Sequence, residues 1–308
     1  SAFHSKRRSS AANASTKQVL WPGVSCPDEL KFSADSVLGP RKGAQLVVAL
    51  CRRSSCAQRC DGVSKTRCWQ LCRSSRRRKG WRSRRSSQPT SIIRSVLGER
   101  PIGVLTGPSH AEEVARGLPA SLVCASKDTE LAHMAQRAFS CDNFRVYTSH
   151  DPVGAELAAA LKNVVALAAG ISDGLELGDN AKAALLTRGM VEMARFGEMK
   201  GGEASTFFGL AGFGDLVTTC CSKHSRNRAV GEAIGRGETL EQILERMSMV
   251  AEGVWTTKAL FGPESDLGDR VLPIAEQVHA ILFEKKDPRR AVLDLMSREL
   301  GPEMGSPQ

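Results

Sequence analysis

Between Gly154 and Leu175 the chain reads GAELAAALKNVVALAAGISDGL, which is apolar almost all the way round when wound as an α-helix. A helix without a polar face has to run through the middle of a domain, with other elements packed on every side. The sequence downstream can supply those elements. Its periodicity predicts helices over about 179–199, 226–235, 239–247, 250–261, 271–283 and 288–298, separated by Gly-rich or polar breaks. Within the apolar run stands a lysine, Lys162, followed by Asn163. An unpaired ammonium there would cost several kcal/mol or shed its proton, a setting in which lysines often serve as acid–base groups. The competing reading places Lys162 at a helix edge, with its head reaching water.

Upstream the pattern changes to alternating strands and helices. QLVVALC (Gln45–Cys51) reads as a buried parallel strand, SIIRSVLG from Ser91 as a helix end, and PIGVLTG (Pro101–Gly107) as a strand running into a turn. Ser109, with Glu112 three residues on, has the spacing of an N-terminal capping box. A strand over 120–125, a helix over about 129–139 and a strand over 144–148 complete an alternation that predicts a parallel or mixed sheet. The expected architecture is α/β plus all-α. A partial nucleotide-binding domain covers 1–150, a helical domain 151–300, and a tail 301–308.

The formal net charge of +10 raises the question of a nucleic-acid or membrane partner, and its placement answers it. Residues 1–100 carry 22 Lys and Arg against 5 Asp and Glu, whereas residues 101–308 carry 21 against 28. Much of the excess lies in 52–86, where 13 basic residues accompany a single acid, Asp61, without apolar periodicity. Such a stretch cannot bury enough to offset its chain entropy, so 52–88 is expected to be disordered. The cysteines form no disulfide framework. No long apolar run free of charge and no secretory leader is evident. The expectation is an intracellular protein without a membrane partner. The acid-free opening SAFHSKRRSSAANAS, beginning at Ser1, reads first as a truncation and second as a transit-peptide remnant. Cytoplasm is thus the expected compartment, with plastid as the alternative.

Two further clusters carry chemistry. In GLAGFGDLVTTC (Gly209–Cys220) the glycines lack a preceding strand, so the segment is no dinucleotide fingerprint and reads as flexible backbone. SRNR (Ser225–Arg228) before an apolar-periodic helix offers a hydroxyl, a guanidinium and helix-end amides, which suit an anion such as phosphate. It equally suits a plain N-cap beside a solvated arginine. GPSHAEEVARG (Gly107–Gly117) presents turn amides to an anion or cofactor group, though a turn with a capping box explains the same residues.

In this order, VLTGPSHAEEVARGLPASLV, ELAAALKNVVALAAGISDGLELGDNAKAALLTRGMVEM, GLAGFGDLVTTC, SRNRAVG and VAEGVWTT resemble the NAD(P)-dependent glycerol-3-phosphate dehydrogenases of the bacterial and plastid type. The resemblance covers roughly 91–300, and more loosely WPGVSCPDELKFSAD to GAQLVVALC. It implies a Rossmann-like domain followed by an all-helical domain of the 6-phosphogluconate-dehydrogenase type, usually in a homodimer. It also implies interconversion of dihydroxyacetone phosphate and sn-glycerol 3-phosphate with NADPH or NADH, feeding glycerophospholipid synthesis. On the matching positions Lys162 is the catalytic lysine, acting at the C2 oxygen. Gly107, Ser109, Asp215, Ser225, Arg226 and Asn227 join it in substrate binding. Ala111, Arg226, Val250 and Glu252 meet the cofactor. No metal is implied.

The chain also departs from this family. No Gly-x-Gly-x-x-Gly turn, which would hold a cofactor pyrophosphate on a helix N-terminus, precedes Gly107. The family's lysine in a Thr-Lys-Gly-like segment has no counterpart, since Lys79-Gly80 lies in SRRRKGWRS, which does not read as a strand end. Good pattern to about Ala49, basic sequence to about Ser87 and good pattern from Thr90 suggest that residues 50–88 were translated in the wrong frame. That hypothesis fails if a resequenced transcript encodes them uninterrupted. An inactive fragment unable to bind cofactor is therefore a rival reading. A nucleic-acid role for the basic segment, with Trp69 and Trp81 stacking on bases, is a weaker one. A zinc site from Cys56, Cys60, Cys68 and Cys72 is compact for a ribbon. The choice between NADPH and NADH stays open, because the residues that meet the adenosine ribose belong to the missing unit.

Overall fold

The computed structural model describes residues 46–51, 67–72, 88–247, 251–263, 265, 267 and 272–303. The chain divides into two compact units, the sheet-containing one ending at Glu156 and the helical one running from Leu157.

The sheet unit holds strands β1 (Leu46–Cys51), β2 (Arg67–Cys72), β3 (Ile102–Thr106), β4 (Ala120–Ser126) and β5 (Phe144–Ser149), side by side in chain order. Neighbours are parallel except for β3 and β4, so the sheet is mixed, as expected. β3 is buried at every position, which is why IGVLT carries no alternation of polar residues. Its flanking helices are α1 (Pro89–Leu97), α2 (Ala111–Val114) and α3 (Thr129–Phe139). Asp128 caps α3 by accepting from the Leu131 amide at 2.7 Å. Leu131, Ala132 and Ala135 then pack with Leu105, Leu122, Cys124 and Val146. At α1 the cap comes from a distant residue. Buried Glu156 accepts from the Thr90 amide at 2.9 Å and from its hydroxyl at 2.7 Å, tying the helix start to a residue 66 positions away.

Two expectations need correction here. Disorder was expected over 52–88, yet Arg67–Cys72 forms β2, paired in parallel register with β1 and β3. Averaged over the basic stretch, charge hides the run Cys68–Cys72, which has none and contains β-favouring Trp69. Residues 52–66 and 73–87, with Cys56, Cys60, Lys79 and Trp81, lie outside the described residues. The capping box at Ser109 does not form either. α2 starts at Ala111 after His110, and Ser109 instead donates its hydroxyl to the Gly107 carbonyl at 3.3 Å. The turn needs an extra residue to reach helical geometry, because Gly107 leaves β3 with φ +137°.

The apolar run becomes α4 (Pro152–Gly174), whose first turn is capped by Asp151 accepting from the Gly154 amide at 2.8 Å. Around its helical-unit portion pack α5 (Gly178–Met199), α6 (Ala204–Phe208), α7 (Asp215–Cys221), α8 (Arg226–Gly235), α9 (Leu240–Arg246), α10 (Glu252–Leu260), α11 (Pro273–Phe283) and α12 (Pro288–Met296). Leu161, Val164, Leu167 and Ile171 lie in one continuous core with Met193, Phe207, Leu216, Val230, Val254 and Val278. The closest approach is that of α4 to α8. A methyl built on Gly170 would stand 2.0 Å from the Arg228 carbonyl, and one on Gly231 would stand 2.0 Å from the Leu167 carbonyl. Gly174 and Gly235, four residues further along each helix, repeat the contact, so the two backbones touch without side chains between them.

Candidate active site

The segment read as flexible is compact. Leu210–Gly214 winds as a π-helical turn between α6 and α7, with Ala211 and Gly212 buried, and a methyl on Gly212 would collide with the Phe207 backbone. Gly212 serves close packing, and the turn sets Asp215 at the first position of α7. A carboxylate is favoured there by the helix N-terminus. The Thr219 hydroxyl, one turn on, donates to the Asp215 carbonyl at 2.6 Å and lies 3.5 Å from its Oδ1.

Asp215 Oδ2 forms an ion pair with Lys162 Nζ. The two side chains are 17% and 7% exposed, so neither sequence reading of Lys162 describes it fully. Its ammonium is neither unpaired nor fully solvated. It is held by a buried carboxylate while keeping one open side, which is what an acid–base group facing a small molecule needs.

Asn163, beside Lys162 on α4, belongs to a chain of side-chain amides. The Gly253 amide, in the first turn of α10, donates to Asn227 Oδ1 at 2.8 Å. Asn227 Nδ2 donates to Asn163 Oδ1 at 2.8 Å, and Asn163 Nδ2 donates to the Ala159 carbonyl at 3.0 Å. A backbone donor at one end and a backbone acceptor at the other fix the orientation of both carboxamides. Gly253 allows this approach, since a methyl there would lie 2.4 Å from the Asn163 carbonyl.

Ser225 is the N-cap of α8 and accepts from the Arg228 amide at 3.3 Å, so the capping explanation of SRN holds for the serine. Arg226, half-buried at the first position of α8, has no ion-pair partner among the described residues. The amides at that helix start have no intrahelical partner either, which leaves the anion reading open for Arg226. Arg228 is committed elsewhere. Its Nε meets Asp173 at 2.6 Å, and Lys182 meets the same carboxylate at 2.9 Å, joining α4, α5 and α8.

Lys162, Asp215, Asn227 and Ser225 thus belong to one cluster in the helical unit. Glu252 opens α10 next to Gly253, and Val250 lies outside the described residues. In the sheet unit, Gly107 and Ser109 lie in the turn between β3 and α2, and Ala111 opens α2. Thr219 was missed in the sequence, although its position one helical turn after Asp215 was a usable signal. Glu192 was missed too. It accepts from the Ile274 and Ala275 amides at 2.9 and 3.0 Å, capping α11 from α5. Burial pushes its carboxyl up to about 7, outweighing the two amides that favour the charged form. Glu192 lines a cavity of about 950 Å³ with Ile171, Leu185, Val278 and Leu295 that contains none of the cluster above. Among the described residues no group of His, Cys, Asp or Glu has the arrangement of a metal site.

A family model described as NAD-dependent glycerol-3-phosphate dehydrogenase C-terminus matches residues 151–293, and its N-terminus counterpart matches residues 5–132. The NAD(P)+ glycerol-3-phosphate dehydrogenase of Chlorobium phaeobacteroides is 52% identical over 204 residues, 66% of this chain and 61% of that protein. Its namesake from Listeria monocytogenes is 54% identical over 196 residues, 64% of this chain and 58% of the relative. The matched region therefore spans about three fifths of these curated relatives. Among solved structures, glycerol-3-phosphate dehydrogenase from Coxiella burnetii is 34% identical with a TM-score of 0.79, covering 90% of this chain and 84% of its own.

Proposed function

The chain belongs to the NAD-dependent glycerol-3-phosphate dehydrogenases, and from that premise we propose that it interconverts dihydroxyacetone phosphate and sn-glycerol 3-phosphate with NADPH or NADH. The observation that carries the reading is the Lys162–Asp215 pair, an ammonium fixed by a buried carboxylate and open on one side. In the reducing direction Lys162 donates a proton to the C2 oxygen, and in the oxidising direction it accepts one. Asp215 keeps the ammonium aimed. Arg226 and the start of α8 bind the phosphate, with Gly107 and Ser109 as further substrate contacts. Asn227 has already spent its oxygen and one N–H within the protein, leaving a second N–H for substrate.

The bound dinucleotide supplies or removes hydride at C2. The residues for its binding are Ala111, Arg226, Val250 and Glu252, and a half-buried cation at Arg226 without an ion-pair partner among the described residues fits that use. The pyrophosphate end fits less well, because no Gly-x-Gly-x-x-Gly turn precedes Gly107. In this role the product feeds glycerophospholipid synthesis, and the enzyme works as a homodimer in the cytoplasm or a plastid.

The test is NAD(P)H oxidation with dihydroxyacetone phosphate by the parent chain and by Lys162→Ala, both shown to be folded by circular dichroism. The expected loss in the variant is about 10²- to 10⁴-fold, the usual worth of a positioned acid–base group. No oxidation by a folded parent would overturn the reading in favour of an inactive remnant.

A further inference from the structure

The geometry points to Asn227 as a positioning residue that locks the first turn of α10 to the helix carrying Lys162. Asn227 is buried, and both ends of its carboxamide are engaged by groups fixed in other helices. On one side it takes the Gly253 amide, which as a helix-start donor has no intrahelical partner. On the other it donates to Asn163, the neighbour of Lys162 on α4, whose own amide is anchored on the Ala159 carbonyl. The hydrogen bonds run head to tail from α10 through α8 to α4, so each reinforces the next. The packing is tight, because a methyl on Gly253 would stand 2.4 Å from the Asn163 carbonyl. Without Asn227, the Gly253 amide is left buried and unsatisfied, and α10 has to shift to find water.

The consequence rests on the proposed dehydrogenase activity, in which Glu252 at the head of α10 faces the dinucleotide and Lys162 faces the substrate. Asn227 then keeps the two binding surfaces in register, beyond any contact of its own with substrate. Asn227→Ala removes both hydrogen bonds. Asn227→Asp keeps an acceptor for the Gly253 amide, at a helix start that favours negative charge, and gives up only the bond to Asn163.

Two measurements follow on the full chain. Hydrogen exchange at the Gly253 amide is expected to speed up at least about tenfold in Asn227→Ala and to stay near the parent rate in Asn227→Asp. In steady-state kinetics, KM for NAD(P)H is expected to rise about tenfold in Asn227→Ala and to stay within about twofold in Asn227→Asp, whatever happens to KM for dihydroxyacetone phosphate. Equal behaviour of the two variants, or a protected Gly253 amide in Asn227→Ala, overturns the proposal. Should Asn227→Ala not fold, Asn227→Asp decides alone, since rapid exchange at Gly253 there has the same meaning. Should the parent oxidise no NAD(P)H, the dehydrogenase reading falls while the Gly253 amide still reports on Asn227.

Discussion

The two units place their candidate residues by different means. In the helical unit, Lys162, Asp215, Asn163 and Asn227 hold one another by side-chain contacts across α4, α7, α8 and α10. In the sheet unit, Gly107, Ser109 and Ala111 are placed by the path of the backbone, and the one side-chain bond among them is the 3.3 Å contact from Ser109 to Gly107. The helical unit also buries a large continuous core, while that of the sheet unit is a thin layer between α3 and the sheet among the described residues. A site made of interlocked side chains on touching helices tolerates little movement. A turn at the end of a strand can adjust at modest cost.

Gly231→Ala is the strongest challenge to that contrast. The added methyl would stand 2.0 Å from the Leu167 carbonyl, against backbone that cannot rotate away. α8 has to move off α4, carrying Asn227 away from Asn163. The expected cost is at least about 3 kcal/mol, at the upper end for overpacked cores, seen as a drop in urea midpoint confined by hydrogen exchange to the helical unit. A loss under about 1 kcal/mol would mean that the helices are not held backbone to backbone, and the contrast between the units would lose its basis.

Glu192 sharpens the same comparison through pH. Its carboxyl titrates near 7 when folded, against 4.5 for the ordinary group, so the folded chain holds the proton more tightly. The contribution to stability is full below about pH 4.5 and is lost as pH rises to about 7, by about 2 to 3 kcal/mol. Urea midpoints of the helical unit at pH 5 and 8 are expected to fall in the parent and to stay nearer level in Glu192→Gln. If both chains show the same slope, burial does not dominate at Glu192 and the two helix-end amides hold it charged.

How much of this was legible in the sequence follows from the range of the interactions. Local periodicity placed α8, predicted at 226–235 and found at Arg226–Gly235, and placed the central position of α4, whose lack of a polar face needs no partner to interpret. The Lys162–Asp215 pair joins residues on different helices, so pattern alone left the lysine between two readings and only the family resemblance put Asp215 beside it. Glycines misled in GLAGFGD, where spacing cannot distinguish flexibility from close packing; the Phe207 backbone against Gly212 decides it. Gly170 with Gly174, and Gly231 with Gly235, stand four residues apart in the sequence, but spacing alone does not say that the two pairs meet. β2 was hidden because its uncharged core, Cys68–Cys72, is a short run inside a strongly basic stretch.

Gly107 carries the smallest expected effect and the most direct comparison, because the sheet unit contains its own control. At Gly107 φ is +137°, and a methyl would meet the Leu122 Cα at 3.1 Å and the Ser121 carbonyl at 3.2 Å. At Gly98 φ is +74°, and a methyl would meet nothing within 4 Å. Gly98→Ala, at φ +74° and ψ −168°, therefore measures a glycine-favouring backbone alone, about 1 kcal/mol, and Gly107→Ala adds tight contact with β4, for about 2 kcal/mol. The contacts exceed 3.0 Å and involve a strand end, so β4 can yield by a few tenths of an ångström where α4 cannot. Hydrogen exchange across β3 and β4 reads the two losses separately from the helical unit. If Gly107→Ala costs as much as Gly231→Ala, the turn is as rigidly specified as the helix crossing, and backbone placement is no more forgiving than interlocked side chains.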